Sequence, residues 1–141
     1  LETIHQAYRK APNFTAGFAM IESVYRRKTW TSMLELNLSF LELGRHYFGI
    51  ETPTVLSSSL AVPGESSKRL IDLVSAVEGT EYISGMGAKA YLDEALFEEA
   101  SIRVVWEPGN VCDYPQLHGE FVPKLSFVDM MLMGERGGFH G

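Results

Sequence analysis

A change of hydrophobic period near residue 54 constrains the fold of this chain more than any other feature. Up to residue 50, apolar side chains recur every three or four positions, which is typical of helices. Beyond it, short runs rich in β-branched residues alternate with helical segments. The predicted strands are residues 54–58, 81–84 and 102–106, and the predicted helices between them are residues 66–78 and 90–100. Such alternation indicates βαβ crossovers and a mainly parallel sheet.

The N-terminal third is predicted to be helical. A first helix over residues 2–10 ends before Pro12, because the residue that precedes a proline disfavours the α conformation. Asn13 or Thr15 is expected to cap a second helix. The apolar residues of that helix share one face: Phe14, Phe18, Ile21 and Tyr25. A third helix covers residues 31–48 and ends at Gly49, a residue suited to the left-handed C′ position. One face of the third helix carries Leu34, Leu38, Leu41 and Arg45.

These patterns together predict an α/β fold, with a small parallel sheet of at least three strands flanked by helices. The 141 residues match the usual size of one domain, so we expect a single α/β domain over residues 1–141. Ser66 or Ser67 is expected to cap the helix that follows the first strand. Ser126 and Asp129 are expected to form a capping box for a last helix that runs to Met133. Residues 134–141 are glycine-rich and are expected to fray.

Composition argues against several classes of function. The net charge of −6 disfavours non-specific nucleic-acid binding, which requires clustered lysine and arginine. No run of about 18 apolar residues occurs, so we expect no membrane insertion. No signal peptide is visible, so the cytoplasm is the expected compartment. Cys112 is the only cysteine, which excludes a disulfide within the chain. We interpret it as a bystander rather than a nucleophile, because Asp113 and not a cation lies beside it.

The first candidate site follows the second predicted strand. Ser84 ends that strand, residues 85–87 form a tight loop that begins with Gly85, and Lys89 comes two residues after Gly87. In parallel sheets, ligands bind beyond the C-terminal strand ends, and glycines let the backbone approach a phosphate. We interpret this segment as an anion-binding loop. The alternative is a plain tight turn, because the spacing matches neither a Walker loop nor a dinucleotide fingerprint.

A second candidate site surrounds the end of the first predicted strand. Ser57, Ser58 and Ser59 would face the same end of the sheet as Gly85. Lys68 and Arg69 stand in the first turn of the following helix, where a positive side chain opposes the helix dipole. An anion bound between these groups would offset that cost. The alternative is an ordinary solvated surface.

The third candidate is the segment 113–120. It contains His118 and Glu120, which are residue types that carry acid–base chemistry. The other histidines are scattered along the chain, so a histidine metal site is not expected: His5, His46 and His140. The acidic residues of 93–99 are interpreted as a solvated helix face. The sequence identifies no cofactor.

Seven blocks of residues carry a resemblance to a known family. They are YRKAPNF (8–14), FGI (48–50), RLIDL (69–73), EYISG (81–85), KAYLDE (89–94), YPQ (114–116) and LSFVD (125–129). In order and spacing, over nearly the whole chain, these blocks resemble the WbqC-like family. Several separate blocks make the resemblance more specific than one short motif would.

The resemblance implies a function and a missing part. Family members are bacterial and are often encoded among genes for surface polysaccharide such as O-antigen, and the resemblance implies transfer of glycine, or a related acyl group, onto a sugar. Members begin with a segment similar to Gln-Pro-Asn-Tyr-Leu-Pro-Trp-Leu-Gly and an Asp-Asp-Val-Gln-Phe block, and neither occurs here. We therefore place the resemblance in the C-terminal two-thirds. We expect the chain, which begins at Leu1, to be a fragment or a short member without an N-terminal nucleotide-binding part.

From the resemblance we predict a transferase that acts on a nucleotide-activated or carrier-bound sugar. Six residues are predicted to bind phosphate or another anionic group: Ser57, Ser58, Arg69, Ser84, Gly85 and Lys89. Tyr114 and Gln116 are predicted to shape the acceptor pocket, and His118 is the candidate general base. The alternative is a non-catalytic nucleotide- or anion-binding or assembly module, in which an exposed apolar edge promotes a homodimer. A nucleotidyltransferase would need a phosphate-gripping histidine motif, which the sequence does not show.

Overall fold

The computed structural model describes residues 1–109 and 113–135. Its helices are α1 (Glu2–Tyr8), α2 (Phe14–Arg26), α3 (Met33–Phe48), α4 (Ser66–Ala76), α5 (Glu94–Glu99) and α6 (Phe127–Met133), with 3-10 helices at Ser57–Leu60 and Met86–Ala90. Its strands are β1 (Glu81–Gly85) and β2 (Arg103–Glu107). The chain forms two compact units. We call them the helical unit (residues 1–52 with 113–135) and the α/β unit (residues 53–109). Helices mixed with a parallel sheet confirm the predicted α/β class.

The helical unit closes around its last helix. α6 packs against α2 and α3, and the three residues at its end are buried in a core shared with Ile21 and Tyr47: Met131, Leu132 and Met133. Asn13 joins α6 to the start of α2, because its side-chain amide donates to the Met131 carbonyl at 2.9 Å. Contacts between residues more than 100 positions apart therefore hold this unit together.

Helix α3 buries a different face from the one that carries its leucines. Leu34 and Leu41 are 57% and 60% exposed, whereas Gly44 and Tyr47 are buried. Gly44 faces the Phe127 ring of α6, and a β-carbon there would lie 3.4 Å from that ring, in van der Waals contact. Gly49 ends the helix with φ +68°, which confirms the predicted left-handed C′ residue.

The α/β unit is built on two parallel strands. β1 and β2 pair with Glu81 opposite Arg103 and Gly85 opposite Glu107. Phe97 of α5 is fully buried beneath the sheet, and the Tyr82 ring stacks on it with 5.2 Å between the ring centroids. Leu92 and Ile102 are the other buried residues of this core, and α4 packs against it through Leu70, Ile71 and Val74. The predicted second and third strands are thus confirmed, and they pair in parallel.

The predicted first strand, residues 54–58, is wrong. Residues 54–56 have no regular structure, and Ser57–Leu60 forms a 3-10 helix. Ser59 donates from both its backbone N–H and its hydroxyl to the Leu56 carbonyl, at 2.9 and 2.7 Å. These local hydrogen bonds compete with strand pairing, and Pro53 has no N–H to donate. Within residues 1–109 and 113–135 the sheet therefore has two strands and not three.

Two helix boundaries also differ from the prediction. The helix predicted over residues 90–100 begins at Glu94, because Met86–Ala90 forms a separate 3-10 helix. Ser67 does not cap α4; its hydroxyl accepts a hydrogen bond from the Asp93 N–H at 2.9 Å. At α6, Ser126 caps as predicted by accepting from the Val128 N–H at 3.3 Å. Asp129 does not complete a capping box, because its carboxylate binds two tyrosines instead.

Some expectations lie outside what the structure tests. Cys112, His140 and most of the predicted frayed end are not among the described residues. The expectation of one domain over residues 1–141 stays a prediction. None of the described helices combines the length and the apolar character needed to cross a membrane.

Candidate functional site

An open cleft of about 450 Å³ lies at the beginning of α4 in the α/β unit. Its lining residues come from the loop before α4, the first turn of α4 and the segment after the second 3-10 helix: Gly64, Glu65, Ser66, Ser67, Arg69, Leu70, Tyr91 and Leu92. We call it the α4 cleft. Of the six residues predicted to bind an anion, Arg69 lines it.

Local hydrogen bonds fix the shape of the α4 cleft. Ser67 is buried, and its bond to the Asp93 N–H ties the first turn of α4 to the segment that carries Tyr91. The N-cap residue of α4 is Glu65, whose side chain makes no capping hydrogen bond. Ser66 has a left-handed φ of +55°, a conformation that costs energy outside glycine and often occurs at binding sites. The first N–H groups of α4 are consequently left to other acceptors.

Arg69 is the cation of the α4 cleft. It is half-buried, and its Nε donates to the Val62 carbonyl at 3.4 Å, which orients the guanidinium. No carboxylate in the described part of the chain forms an ion pair with it; the four ion pairs there involve Arg26, Lys28, Arg45 and Arg103. Its two terminal nitrogens can therefore bind a planar or tetrahedral anion in the bidentate manner that favours arginine.

Tyr91 and Glu65 are cleft residues that sequence reasoning did not select. The Tyr91 side chain is 76% exposed although it is aromatic, so it offers a free ring face to a base or a sugar. Glu65 adds a carboxylate that accepts hydrogen bonds from hydroxyl groups. Tyr91 lies on a segment without regular structure, where the sequence gives no periodic signal that separates an exposed ring from a buried one.

The other predicted anion-binding residues are distributed around the same unit. Lys89 lies in the Met86–Ala90 3-10 helix, with its Nζ 5.9 Å from the centroid of the Trp106 ring. Gly85 ends β1, and nothing lies within 4 Å of the position that a β-carbon would take there. Ser84 is buried. Its hydroxyl is therefore shielded from solvent, whereas Gly85 and Lys89 are accessible.

Ser57 and Ser58 occupy the first 3-10 helix, which packs against α4. Both side chains are exposed. The element that carries these serines is therefore next to the helix that carries Arg69, but it is a 3-10 helix and not the predicted strand end. Neither Ser57 nor Ser58 lines the α4 cleft.

Tyr114, Gln116 and His118 belong to the helical unit. The Gln116 amide donates to the Val122 carbonyl at 3.0 Å and accepts from the Val122 N–H at 2.8 Å. This pair of bonds closes the loop of residues 116–122. The Tyr114 hydroxyl donates to the Asp129 carboxylate at 2.7 Å, so both residues predicted to shape an acceptor pocket already have protein partners.

A buried carboxylate, Asp129, lies between two phenols. It is 5% exposed and accepts from Tyr8 on one oxygen and from Tyr114 on the other, both at 2.7 Å. Burial, together with the hydrogen bond to Asp129, raises the pKa of Tyr8 and Tyr114 above the usual tyrosine value. Both phenols therefore stay protonated near neutral pH, and the cluster binds α1, the 113–120 loop and α6 together rather than transferring protons.

His118 has a defined tautomer. Its Nε2 lies 3.0 Å from the Ala7 carbonyl oxygen, which can only accept a hydrogen bond. The neutral ring consequently carries its proton on Nε2 and keeps a lone pair on Nδ1. The side chain is exposed, and the backbone holds a φ of +70°. These features suit a proton acceptor whose reactive atom is Nδ1.

Among residues 1–109 and 113–135, no three side chains of the His, Cys, Asp or Glu types lie close enough to hold an ion. The α4 cleft is thus built from a guanidinium, a phenol ring, a carboxylate and helix N–H groups.

Comparison with known protein families identifies the relatives of this chain. The WbqC-like protein family matches residues 1–137, which is essentially the whole chain. The chain belongs to the WbqC-like family. This corrects the narrower assignment of the resemblance to the C-terminal two-thirds, since the match includes the three N-terminal helices.

A curated relative is similar in sequence. The uncharacterized protein Rv1507c of Mycobacterium tuberculosis is 33% identical over 125 residues, which cover 88% of this chain and 54% of the relative. This WbqC-like chain therefore spans about half the length of that relative. No solved structure matches the chain significantly. The geometry of the α4 cleft is consequently the main guide to what the chain binds.

Proposed function

We propose that this chain is the substrate-binding part of a transferase that moves glycine, or a related acyl group, onto a sugar in bacterial surface polysaccharide synthesis. The observation that carries the proposal is the α4 cleft, where Arg69 and Tyr91 face one open volume. A guanidinium without an ion-pair partner among the described residues suits a phosphate. An exposed phenol ring beside it suits a nucleoside base or a sugar face.

Each predicted residue has a role in the proposal. Arg69 binds the phosphate of a nucleotide-activated or carrier-bound sugar, and Lys89 and the backbone at Gly85 add a second anion-binding contribution at the end of β1. Ser57 and Ser58 present hydroxyl donors from the 3-10 helix next to α4. Ser84 supports the strand end from within the core. Tyr114 and Gln116 hold the loop that carries His118.

The reaction class sets what a base must do. A sugar hydroxyl attacks the acyl carbonyl, a new ester bond forms, the bond to the acyl leaving group breaks, and the hydroxyl proton goes to a base. His118 is the proposed base, with Nδ1 as the atom that accepts the proton, because Nε2 is occupied by the Ala7 carbonyl. The leaving group departs with the electron pair of the broken bond.

Ligand-induced stabilisation tests the proposal. The chain is heated in the presence of inorganic phosphate, nucleoside diphosphates, nucleoside diphosphate sugars and acyl donors. A ligand at about 100 times its Kd should stabilise the protein by roughly 2.7 kcal/mol. Arg69→Ala and Tyr91→Ala should abolish the shift, and Lys89→Ala should weaken it, while the melting temperature without ligand changes little.

Lys68→Ala is the matched control. Lys68 stands one position before Arg69 in the same turn and carries the same charge, but it does not line the cleft. Its removal should leave ligand binding within about twofold of the original. An equal loss of binding in Lys68→Ala and Arg69→Ala would mean that general charge, and not the cleft, attracts the ligand. No shift with any ligand would contradict the proposal.

A second candidate is a binding module without catalysis. The α4 cleft favours it in one respect, because no histidine or cysteine is among the residues that line the cleft. In this case nucleotide or phosphate binding survives unchanged in His118→Ala, and incubation with acyl donor and sugar yields no product. Product formation that is lost in His118→Ala while ligand binding persists would support the transferase instead.

A further inference from the structure

The two-stranded sheet of the α/β unit has an unpaired edge along β2. Parallel sheets are normally buried, and a two-stranded sheet has little stability alone. In the described ranges, 1–109 and 113–135, no further strand pairs with β2. A groove of about 390 Å³, lined by residues of α5 and the start of β2, lies open next to it.

The hydrogen-bonding groups of this edge can be identified. The Arg103 N–H donates to the Thr80 carbonyl at 2.9 Å, so residues 103, 105 and 107 direct their backbone groups toward β1. In a parallel pair, alternate residues direct theirs to the opposite side. Val104 and Trp106 therefore present free N–H and C=O groups to the open edge.

The charges of β2 are arranged so that the strand complements itself. Its sequence is Arg103, Val104, Val105, Trp106 and Glu107, which places a cation and an anion at equal distances from Val105. Two copies of β2 in antiparallel orientation, centred on Val105, place each Arg103 opposite the other copy's Glu107. Opposite charges directly across two strands are stabilising, and like charges are not.

Backbone geometry selects the same register. In an antiparallel pair, the residues that exchange both hydrogen bonds must be opposite each other. With Val105 at the centre, Val104 lies opposite Trp106 of the second copy, and these are the residues whose groups point outward. The side chains at 103, 105 and 107 share one face of the sheet, so both ion pairs and the Val105 contact form together.

We propose that β2 is a self-association surface, through which two copies of this chain form a continuous four-stranded sheet in the order β1-β2-β2-β1. The partner strand is a second copy of β2. Arg103 and Glu107 are both paired only if the facing strand has an acidic residue opposite the first and a basic residue opposite the second, and an antiparallel copy of β2 provides both. In the described part of the chain, Glu107 forms no ion pair; its Oε1 accepts from the Gly109 N–H at 2.9 Å. The proposal does not depend on the transferase function.

Charge reversal at two positions tests the dimer. One strand pair is a small interface, so association is measured by sedimentation over roughly 10 to 500 µM protein. The chain should change from monomer to dimer in this range. Arg103→Glu and Glu107→Arg should each weaken self-association by about ten- to thirtyfold, because each replaces two attractive pairs with two repulsive ones.

Mixing the two variants gives the decisive measurement. An equimolar mixture of Arg103→Glu and Glu107→Arg should form a heterodimer, because opposite charges then face each other at both ends. The double variant R103E/E107R should dimerise by itself, about as well as the original chain. Circular dichroism checks that each variant is folded, since Arg103 also pairs with Glu81 within the sheet.

Three results would overturn the proposal. The first is that the original chain remains monomeric throughout the range. The second is that both single variants dimerise as well as the original chain. The third is that Leu41→Glu abolishes the dimer while Glu107→Arg retains it, which would assign self-association to the exposed leucine face of α3.

Discussion

The helical unit and the α/β unit maintain their structures in different ways. In the helical unit, six buried residues form one core, and Tyr8, Asn13 and Tyr47 hydrogen-bond to α6 across more than 80 positions of sequence. In the α/β unit, three buried residues form the core, and the hydrogen bond between Ser67 and Asp93 spans 26 positions. The first unit is therefore held by contacts between residues much farther apart in sequence than those of the second.

The α4 cleft and the β2 edge both lie in the unit with the smaller core. The α/β unit has a small core and two strands with free edges, so its apolar side chains are incompletely covered: Ile83 is 67% exposed. Its loops and strand ends supply the α4 cleft and the β2 edge. The helical unit instead buries a charged carboxylate with two phenol partners. The two surfaces proposed above, the α4 cleft and the β2 edge, both belong to the unit with the smaller buried core, where local stability is expected to be lower.

The largest loss of stability is expected from a truncation in the smaller core, that of the α/β unit. Phe97 is fully buried and contacts the Tyr82 ring. Phe97→Ala should cost about 3–5 kcal/mol in the free energy of unfolding, because it leaves a cavity. Hydrogen exchange should accelerate across residues 53–109 far more than in α2 and α3.

Leu132→Ala in the helical unit is the matched comparison. Leu132 is also fully buried, and its truncation should cost about 2–5 kcal/mol. Exchange should then accelerate in α2, α3 and α6. If both substitutions accelerate exchange equally in all elements, the contrast between two separately built units is wrong.

A smaller effect is expected at the tyrosine pair. Tyr8→Phe removes one of the two hydroxyl groups that bind the buried Asp129 carboxylate. Hydrogen bonds to a charged group contribute about 1.5–3 kcal/mol, and denaturant unfolding should show a loss in this range. Tyr25→Phe is the control, since Tyr25 is exposed and should change stability by less than about 0.5 kcal/mol.

The tyrosine pair also predicts a dependence on pH. The folded protein raises the pKa of Tyr8 and Tyr114 above the usual value near 10. Their stabilising contribution is therefore complete below about pH 10 and decreases as the pH rises further, because the unfolded chain loses these protons first. Unfolding free energy measured from pH 8 to 11 should decrease above pH 10, and less steeply in Tyr8→Phe. Equal slopes would contradict the assignment.

The smallest loss of stability is expected from removal of the Ser67–Asp93 hydrogen bond in the α/β unit. Ser67→Ala leaves the Asp93 N–H without its acceptor and should cost about 0.5–1.5 kcal/mol. Ligand binding in the α4 cleft should weaken as well, because this bond holds the Tyr91 segment against α4. Ser75→Ala, at an exposed position of the same helix, should change neither quantity.

Sequence patterns predicted the elements with clear end signals. Gly49 and Ser126 end and begin their helices as expected, because left-handed glycine and side-chain capping are local properties. The strand predicted over residues 54–58 was wrong because a serine side chain there hydrogen-bonds a nearby backbone carbonyl, and β propensity does not account for such local bonds. The orientation of α3 was not predicted either. The leucine spacing pointed to one face, whereas the helix buries the face that carries Phe40, Leu43 and Tyr47, whose partners come from the distant helix α6.

The candidate site was partly predictable. Arg69 was selected from its unfavourable place in the first turn of α4, and it does line a cleft. Tyr91 and Glu65 were missed, because no periodic signal distinguishes an exposed aromatic ring on an irregular segment from a buried one. The partners of Tyr114 could not be predicted, since Tyr8 and Asp129 meet only in the folded helical unit.

The division of the helical unit into two sequence segments has a consequence for synthesis. During translation, α1, α2 and α3 leave the ribosome before α6 exists, so the apolar face that will receive Met131 and Leu132 remains open. The α/β unit lies between the two segments of the helical unit in sequence. Its strands β1 and β2 can therefore pair before α6 has been synthesised. The α/β unit is therefore synthesised before the helical unit can complete its core. Premature termination after residue 109 would release α1, α2 and α3 with their hydrophobic surface uncovered, because α6 would be absent.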